Sequence, residues 1–287
     1  MFQKQSLPLE QKVILAKQRI REYHDHFDGN IYVAFSGGKD STVVLDIVRS
    51  IYPDTVAVFS DTGLEYPEIK EFVKTIDNVT IIKPKLSFKE VINKYGYPVI
   101  SKTQATAIYK LTHQNLTDKY RNKLLHGDEK GTAGKLSNKW HYLLDAPFSI
   151  SDRCCDALKK RPFLKFEKET GLYPITGEMA SDSQNRMQNY FRYGCNLLDT
   201  KHPRSKPLST WLEKDIWEYI KVQNLSYSKI YDMGIENTGC IFCMFGVHLD
   251  KEPNRFQCLK KTHPKLYDYC INDLELGKVL DHINVKY

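Results

Sequence analysis

The apolar run Ile31–Ala34, "IYVA", leads directly into "FSGGKDS", and "TVVLDIV" follows. No other stretch restricts the fold as much. It reads as a buried strand, a tight turn and a helix, with strand end and helix start at one point. Gly37 and Gly38 let the backbone turn and present its N–H groups. The helix begins near Asp40, so its positive end faces whatever anion sits in the turn. Ser36 and Ser41 add hydroxyl donors and Lys39 adds a cation. The spacing is not that of a Walker loop, which places four residues between its first glycine and its Gly-Lys pair; here the two glycines are adjacent. The predicted ligand is a nucleotide phosphate.

The same alternation continues. Residues 9–24 carry apolar side chains at helical spacing. "TVAVFSDTG" reads as a second strand, "PEIKEFVKTI" from Pro67 as a helix, "VTIIKP" as a third strand and "SFKEVINKYG" as a helix ending on Gly96. Alternating strands and helices predict an α/β fold, a Rossmann-like parallel sheet with helices on both faces. Ligands of such sheets bind at the carboxyl ends of the strands, where "SGGKDS" and "SDTG" both fall. Residues 101–150 read instead as a basic helical insertion, two helices and a mobile loop near 127–134. That segment holds eight Lys/Arg and four Asp/Glu, a net of +4 within the chain's +7. Such a surface is either a solvated helix face or an arm for a polyanion. Further on, "GLYPITG" reads as a strand. "KPLSTWLEKDIWEYIKVQN" reads as a helix with Thr210 and Glu213 as its capping box and Trp211, Ile216, Trp217 and Ile220 on its apolar face. Two domains are expected: a nucleotide-binding domain over 1–235 and a smaller helical, cysteine-containing segment over 236–287, packed on the region of Cys154 and Cys155.

Composition excludes some classes. No apolar run reaches the length of a membrane span, and the charged N-terminus has no signal-peptide core, so a cytoplasmic protein without a membrane partner is expected. Seven unevenly placed cysteines do not make a secreted disulfide framework. Cys154 and Cys155 are adjacent, and Cys240 and Cys243 form a CxxC, with 84 residues between Cys155 and Cys240. Two thiolate pairs can complete one site for zinc or for an iron–sulfur cluster. Adjacent cysteines strain to meet one tetrahedral ion, whereas a cubane offers them different irons; geometry alone leaves both open. Cys195, Cys258 and Cys270 are expected to be ordinary buried thiols.

The loop resembles the PP-loop of the adenine-nucleotide alpha-hydrolase superfamily, whose members bind ATP so that its alpha–beta bond breaks. "SDTG", Ser60 to Gly63, strengthens the likeness. "RCCDALKKRP", "ITGEMASDSQNR" and "KPLSTWLEKDIWEYIKVQNLSYSKIYDMGIENTGCIFC" together resemble the phosphoadenosine phosphosulfate reductase family, over roughly residues 30–250. The resemblance implies nucleotide contacts at Ser36, Gly37, Gly38, Lys39, Asp40, Ser41, Asp61 and Gly63, with Asp61 near the nucleotide or a magnesium ion. It implies Lys39, Asp40, Asp61 and Arg186 as catalytic candidates; Arg161 or Lys160, by position after the cysteine pair, is a further candidate anion contact. In the iron–sulfur branch of the family it implies a [4Fe-4S] cluster on Cys154, Cys155, Cys240 and Cys243, with zinc as the alternative.

Two departures from the reductases bear on function. Those enzymes attack with a cysteine in a mobile C-terminal Glu-Cys-Gly tail, whereas this sequence ends "DHINVKY", and Cys270 is its last cysteine. Reductases that take an already adenylated sulfate usually carry a degenerate loop, and "SGGKDS" is intact. The expected function is therefore ATP cleavage to AMP and pyrophosphate coupled to sulfur transfer, with tRNA or DNA as acceptor and a sulfur-donor protein as partner. The alternatives are an adenylyl-sulfate or phosphoadenylyl-sulfate reductase served by a thioredoxin-like donor, and a non-enzymatic nucleotide-binding iron–sulfur subunit. A homodimer is compatible with each.

Overall fold

The structure, a computed structural model, describes residues 1–128 and 134–287. The chain divides into two compact units. The first comprises residues 1–61, 65–83 and 162–238; the second comprises 62–64, 84–161 and 239–287. These boundaries differ from the expected 1–235 and 236–287. The basic insertion and the C-terminal segment belong to one unit because the chain leaves the first unit after its third strand and returns to it at 162. Among the described residues no helix is long and apolar enough to cross a membrane.

The first unit is built on strands β1 (Ile31–Ala34), β2 (Ala57–Ser60) and β3 (Val79–Ile82). In the second unit, β4 is Val99–Ile100. The first unit continues with β5 (Tyr173–Ile175), β6 (Asn196–Leu197) and β7 (Arg204–Ser205). Its sheet has the order β3-β2-β1-β5-β7-β6, all parallel except β6 against β7. The parallel α/β expectation holds. Sheet order reverses direction beside β1, with β2 on one side and β5 on the other. That places the crevice of a doubly wound sheet at the carboxyl ends of β1 and β5.

Helix Lys39–Arg49 packs its Val43, Val44, Ile47 and Val48, all fully buried, into this core beside Tyr32, Val33 and Val58. Helix Glu213–Val222 adds Ile216 and Ile220, and Trp211 just before it is fully buried. Its expected start is corrected: the helix begins at Glu213 after Leu212, and the Asp215 carboxylate accepts the Leu212 N–H at 2.7 Å. Thr210 lies outside the helix because Asp215, held by a partner described below, takes the capping role.

The second unit pairs β4 in parallel with β8 (Met244–Phe245). Around this pair lie helix Phe88–Tyr95, with a Ser87/Glu90 capping box, and helices Lys102–His113 and Asp118–His126. The two expected insertion helices are present; residues 129–133 of the expected loop lie outside the described residues. The short helix Arg153–Cys155 widens into a π-helical turn over Asp156–Lys160. Tyr97 ties the unit together. Its N–H donates to the Ser149 carbonyl at 2.8 Å, and its hydroxyl donates to the Leu274 carbonyl at 3.1 Å.

Candidate phosphate loop and thiol site

Phe35 and Ser36 continue β1, and the backbone then turns through Gly37 at φ +72°. A side chain at Gly37 would stand 2.8 Å from the methyl groups of Ile69 and Val73, so both the turn and its packing require glycine. A Cβ on Gly38 would meet the Thr238 hydroxyl at 2.7 Å. The loop is braced internally. The Ser36 N–H donates to the Ser41 hydroxyl at 3.1 Å, and that hydroxyl donates to the Gly38 carbonyl at 2.8 Å. These bonds hold Ser36, Gly37, Gly38, Lys39, Asp40 and Ser41 around the first turn of an eleven-residue helix.

Lys39 is buried. Its ammonium donates to the Glu236 carbonyl at 3.1 Å and pairs with the Glu213 carboxylate at 3.3 Å. Burial would depress its pKa, but Asp40, Tyr231 and Glu213 outweigh burial and raise it, so the cation is fixed. Asp40 shows the opposite balance. Burial pushes its carboxyl up to about 6 against the pull of Lys39. Its Oδ1 is buried without a hydrogen-bond partner. An orphaned carboxylate oxygen at the mouth of a helix start is a ready acceptor for a proton or a cation.

The neighbouring strand ends add charged groups. Asp61, directly after β2, pairs with Lys70 at 2.6 Å. After β5, Gly177 passes so close that a Cβ would lie 2.7 Å from the Asp40 carbonyl oxygen. Glu178 follows and pairs with Lys206, at the end of β7, at 2.9 Å. Burial would raise the Glu178 carboxyl, but Lys206 and Arg186 overcome it and hold it low. Arg186 pairs with Asp182 and lies 3.9 Å from Glu178. Glu178, Lys206, Glu213 and Tyr231 lie inside the segments that resemble the family, but their own spacing marks none of them as a site residue. The one available signal for Glu178 was its position just after the predicted strand "GLYPITG"; Lys206 had none, because the two-residue β7 before it has no strand pattern. Gly63 belongs to the other unit, at φ +78°.

In the second unit, Cys154, Cys155, Cys240 and Cys243 line one cavity. Its remaining walls are Leu64, Phe88, Pro98, Leu158 and Phe242, with Lys159 at the edge. The CxxC hangs from a backbone bond, Ile241 N–H to the Leu64 carbonyl at 2.9 Å. Arg255 braces it. Its Nη1 donates to the carbonyls of Cys243 at 3.2 Å and Phe245 at 3.1 Å, while Asp250 accepts from Nε and Nη2 at 2.7 and 2.8 Å. The Cys155 thiol is pushed down to about 6 by a hydrogen bond from Cys154, aided by Lys102 and Lys159. The same bond raises Cys154. Among the described residues no group of three or more His, Cys, Asp or Glu is assembled as a single-ion site. Four sulfurs around one zinc would lie within about 4 Å of each other, given Zn–S bonds of about 2.3 Å. The donor set, four soft thiols around an apolar cavity, fits an iron–sulfur cluster. Arg161 pairs with Asp156 at 2.8 Å. Cys270 is fully buried, as expected, whereas Cys195 and Cys258 are only half-buried.

A family profile described as the phosphoadenosine phosphosulfate reductase domain matches residues 30–245. The chain belongs to that family. Among curated proteins similar to this chain, an uncharacterised protein of Methanocaldococcus jannaschii is 23% identical over 93% of this chain and 53% of its own length. The chain spans about half the length of the first curated relatives it matches. An adenosine 5'-phosphosulfate reductase of Anoxybacillus flavithermus is 25% identical over 93% of this chain and 95% of its own length. Among solved structures, the U34-tRNA thiolase of Methanococcus maripaludis with its [4Fe-4S] cluster is similar at 18% identity. Its TM-score is 0.41, covering 96% of this chain and 82% of that one.

Proposed function

We propose that the chain cleaves ATP between its alpha and beta phosphates and uses the adenylated acceptor for sulfur transfer. Cys154, Cys155, Cys240 and Cys243 would hold a [4Fe-4S] cluster. The observation that carries this reading is the complete loop, with a buried, permanently charged Lys39 at the start of an eleven-residue helix. A site for an already adenylated sulfate has no beta,gamma-pyrophosphate for that cation to meet.

In the first step an acceptor oxygen attacks the alpha phosphorus. The alpha–beta bridge breaks, and pyrophosphate leaves with the bonding pair. Lys39 and the loop N–H groups stabilise the charge that develops on it, and magnesium would accompany the triphosphate. In the second step a sulfur nucleophile attacks the activated acceptor, and AMP leaves. When bound, the cluster would supply the iron–sulfide chemistry through which sulfur is delivered. A nucleic acid, tRNA or DNA, suits the exposed Lys119, Arg121, Lys123 and Lys139 of the insertion.

The second reading is a reductase that releases sulfite. The Anoxybacillus reductase, matched over 95% of its length, favours it. The state of Cys270 weighs against it within the described chain: burial pushes its thiol up to about 12, which leaves little thiolate to attack sulfur. The test is product analysis on anaerobically purified protein. AMP and pyrophosphate from Mg·ATP support the first reading. Sulfite released from adenylyl sulfate or its 3'-phosphorylated form with thioredoxin, without ATP cleavage, overturns it.

A further inference from the structure

The first N–H of the loop helix has a partner from far along the chain. The Lys39 backbone N–H donates to the Tyr231 hydroxyl at 2.8 Å. That hydroxyl lies 3.2 Å from the Thr238 hydroxyl, and the Thr238 oxygen covers Gly38. The Lys39 ammonium lies 5.4 Å from the Tyr231 ring centre and is held by Glu236 and Glu213. The segment from Ser228 to Thr238 thus supplies an oxygen acceptor to the helix N–H and another to the lysine, the two groups that a phosphate would use. Fully buried Ile230 anchors the segment. Gly234, at φ +80°, lets the chain double back toward the loop.

We propose that Tyr231 is a built-in occupant of the phosphate seat, exchanged for a phosphate oxygen when nucleotide binds. A neutral phenol oxygen is a modest acceptor. A phosphate oxygen makes charge-assisted bonds about twice as strong, so the nucleotide displaces the tyrosine rather than the reverse. The closed contact lowers apparent affinity by the fraction of molecules it holds shut. It also keeps the loop N–H satisfied and Lys39 in place in the nucleotide-free protein. The exchange rests on reading Ser36–Ser41 as a nucleotide-phosphate loop.

Tyr231→Phe removes the acceptor oxygen and keeps the ring that packs on Trp217 at 5.3 Å. Titration calorimetry with Mg·ATP, and with pyrophosphate as a second probe, compares this variant with the wild type. Loss of one competing hydrogen bond predicts binding about threefold to tenfold tighter in Tyr231→Phe. Equal or weaker binding by the variant overturns the exchange and leaves the loop reading standing. Failure of both proteins to bind either probe overturns both. Trp217 provides a check on the wild type that does not depend on the Tyr231 variant. If Tyr231 moves, saturating ATP changes the tryptophan emission, and the change disappears in Trp217→Phe. Unchanged emission from wild-type protein that calorimetry shows to be saturated also overturns the exchange.

Discussion

The ammonium of Lys12 meets the carboxylate of Asp215 at 2.5 Å across 203 positions of sequence, with side chains only 1% and 4% exposed. The pair joins helix Leu9–His26 to the start of helix Glu213–Val222, where the same carboxylate caps Leu212. Removing one partner strands the other charge in the core. Lys12→Met should therefore lower unfolding free energy by about 3–5 kcal/mol in urea denaturation. The double variant Lys12→Met with Asp215→Asn should recover part of that loss, because the amide oxygen can still cap Leu212. A single variant as stable as wild type would show the pair to be dispensable.

Asp40 links stability to pH. Its carboxyl keeps a proton up to about pH 6 in the native state, because burial disfavours the charge; the unfolded chain releases it near pH 4. Between those values the native state binds more protons, so stability falls as pH rises through this window. Above it a constant cost remains. Asp40→Asn removes that cost and should stabilise the protein at pH 8 by on the order of 2–3 kcal/mol, with no gain at pH 4. Under the proposed function the same variant should lose most ATP cleavage. An equal gain at both pH values would mean that the carboxylate is not the cause.

The loop was readable from sequence because its determinants are local: four apolar residues, two adjacent glycines and a helix start within a dozen positions. Strands β1, β2, β3 and β5 were readable for the same reason, whereas β6 and β7, two residues each, were not. What surrounds the loop was not. The site roles of Lys12, Glu178, Lys206, Glu213 and Tyr231 have no local signature, since they arise only when positions 28 to 203 apart are brought together. The expected Thr210/Glu213 cap failed for this reason: Asp215, fixed by Lys12, offered the better acceptor. The unit boundaries were hidden likewise. A chain that leaves its sheet after β3 and rejoins it at residue 162 has no linker composition to mark either crossing.

Arg255 lies beyond the matched family domain, yet its Nη1 holds the carbonyls of Cys243 and Phe245 while Asp250 fixes the rest of the fork. A lysine keeps the charge but not the planar fork. Under the proposed function, Arg255→Lys should leave the protein folded while the iron of the proposed cluster is lost to a chelator about tenfold faster, as for other residues that support metal ligands. Wild-type iron retention in this variant would show that the CxxC is positioned by Ile241 and Leu64 alone.

Cys240→Ser tests the ligand set itself. A serine oxygen is a harder, more basic donor than thiolate and holds iron–sulfur iron poorly. Under the proposal the variant should lose the brown iron–sulfur absorbance. It should also unfold at lower temperature, because ligand binding contributes to the stability of the folded state. Metal analysis separates the alternatives. Colourless wild-type protein with stoichiometric zinc would replace the cluster by a zinc site on the same thiols. A Cys240→Ser variant with full iron and unchanged thermal stability would remove Cys240 from the ligand set. The remaining cavity thiols, Cys154, Cys155 and Cys243, would then need a fourth ligand from elsewhere.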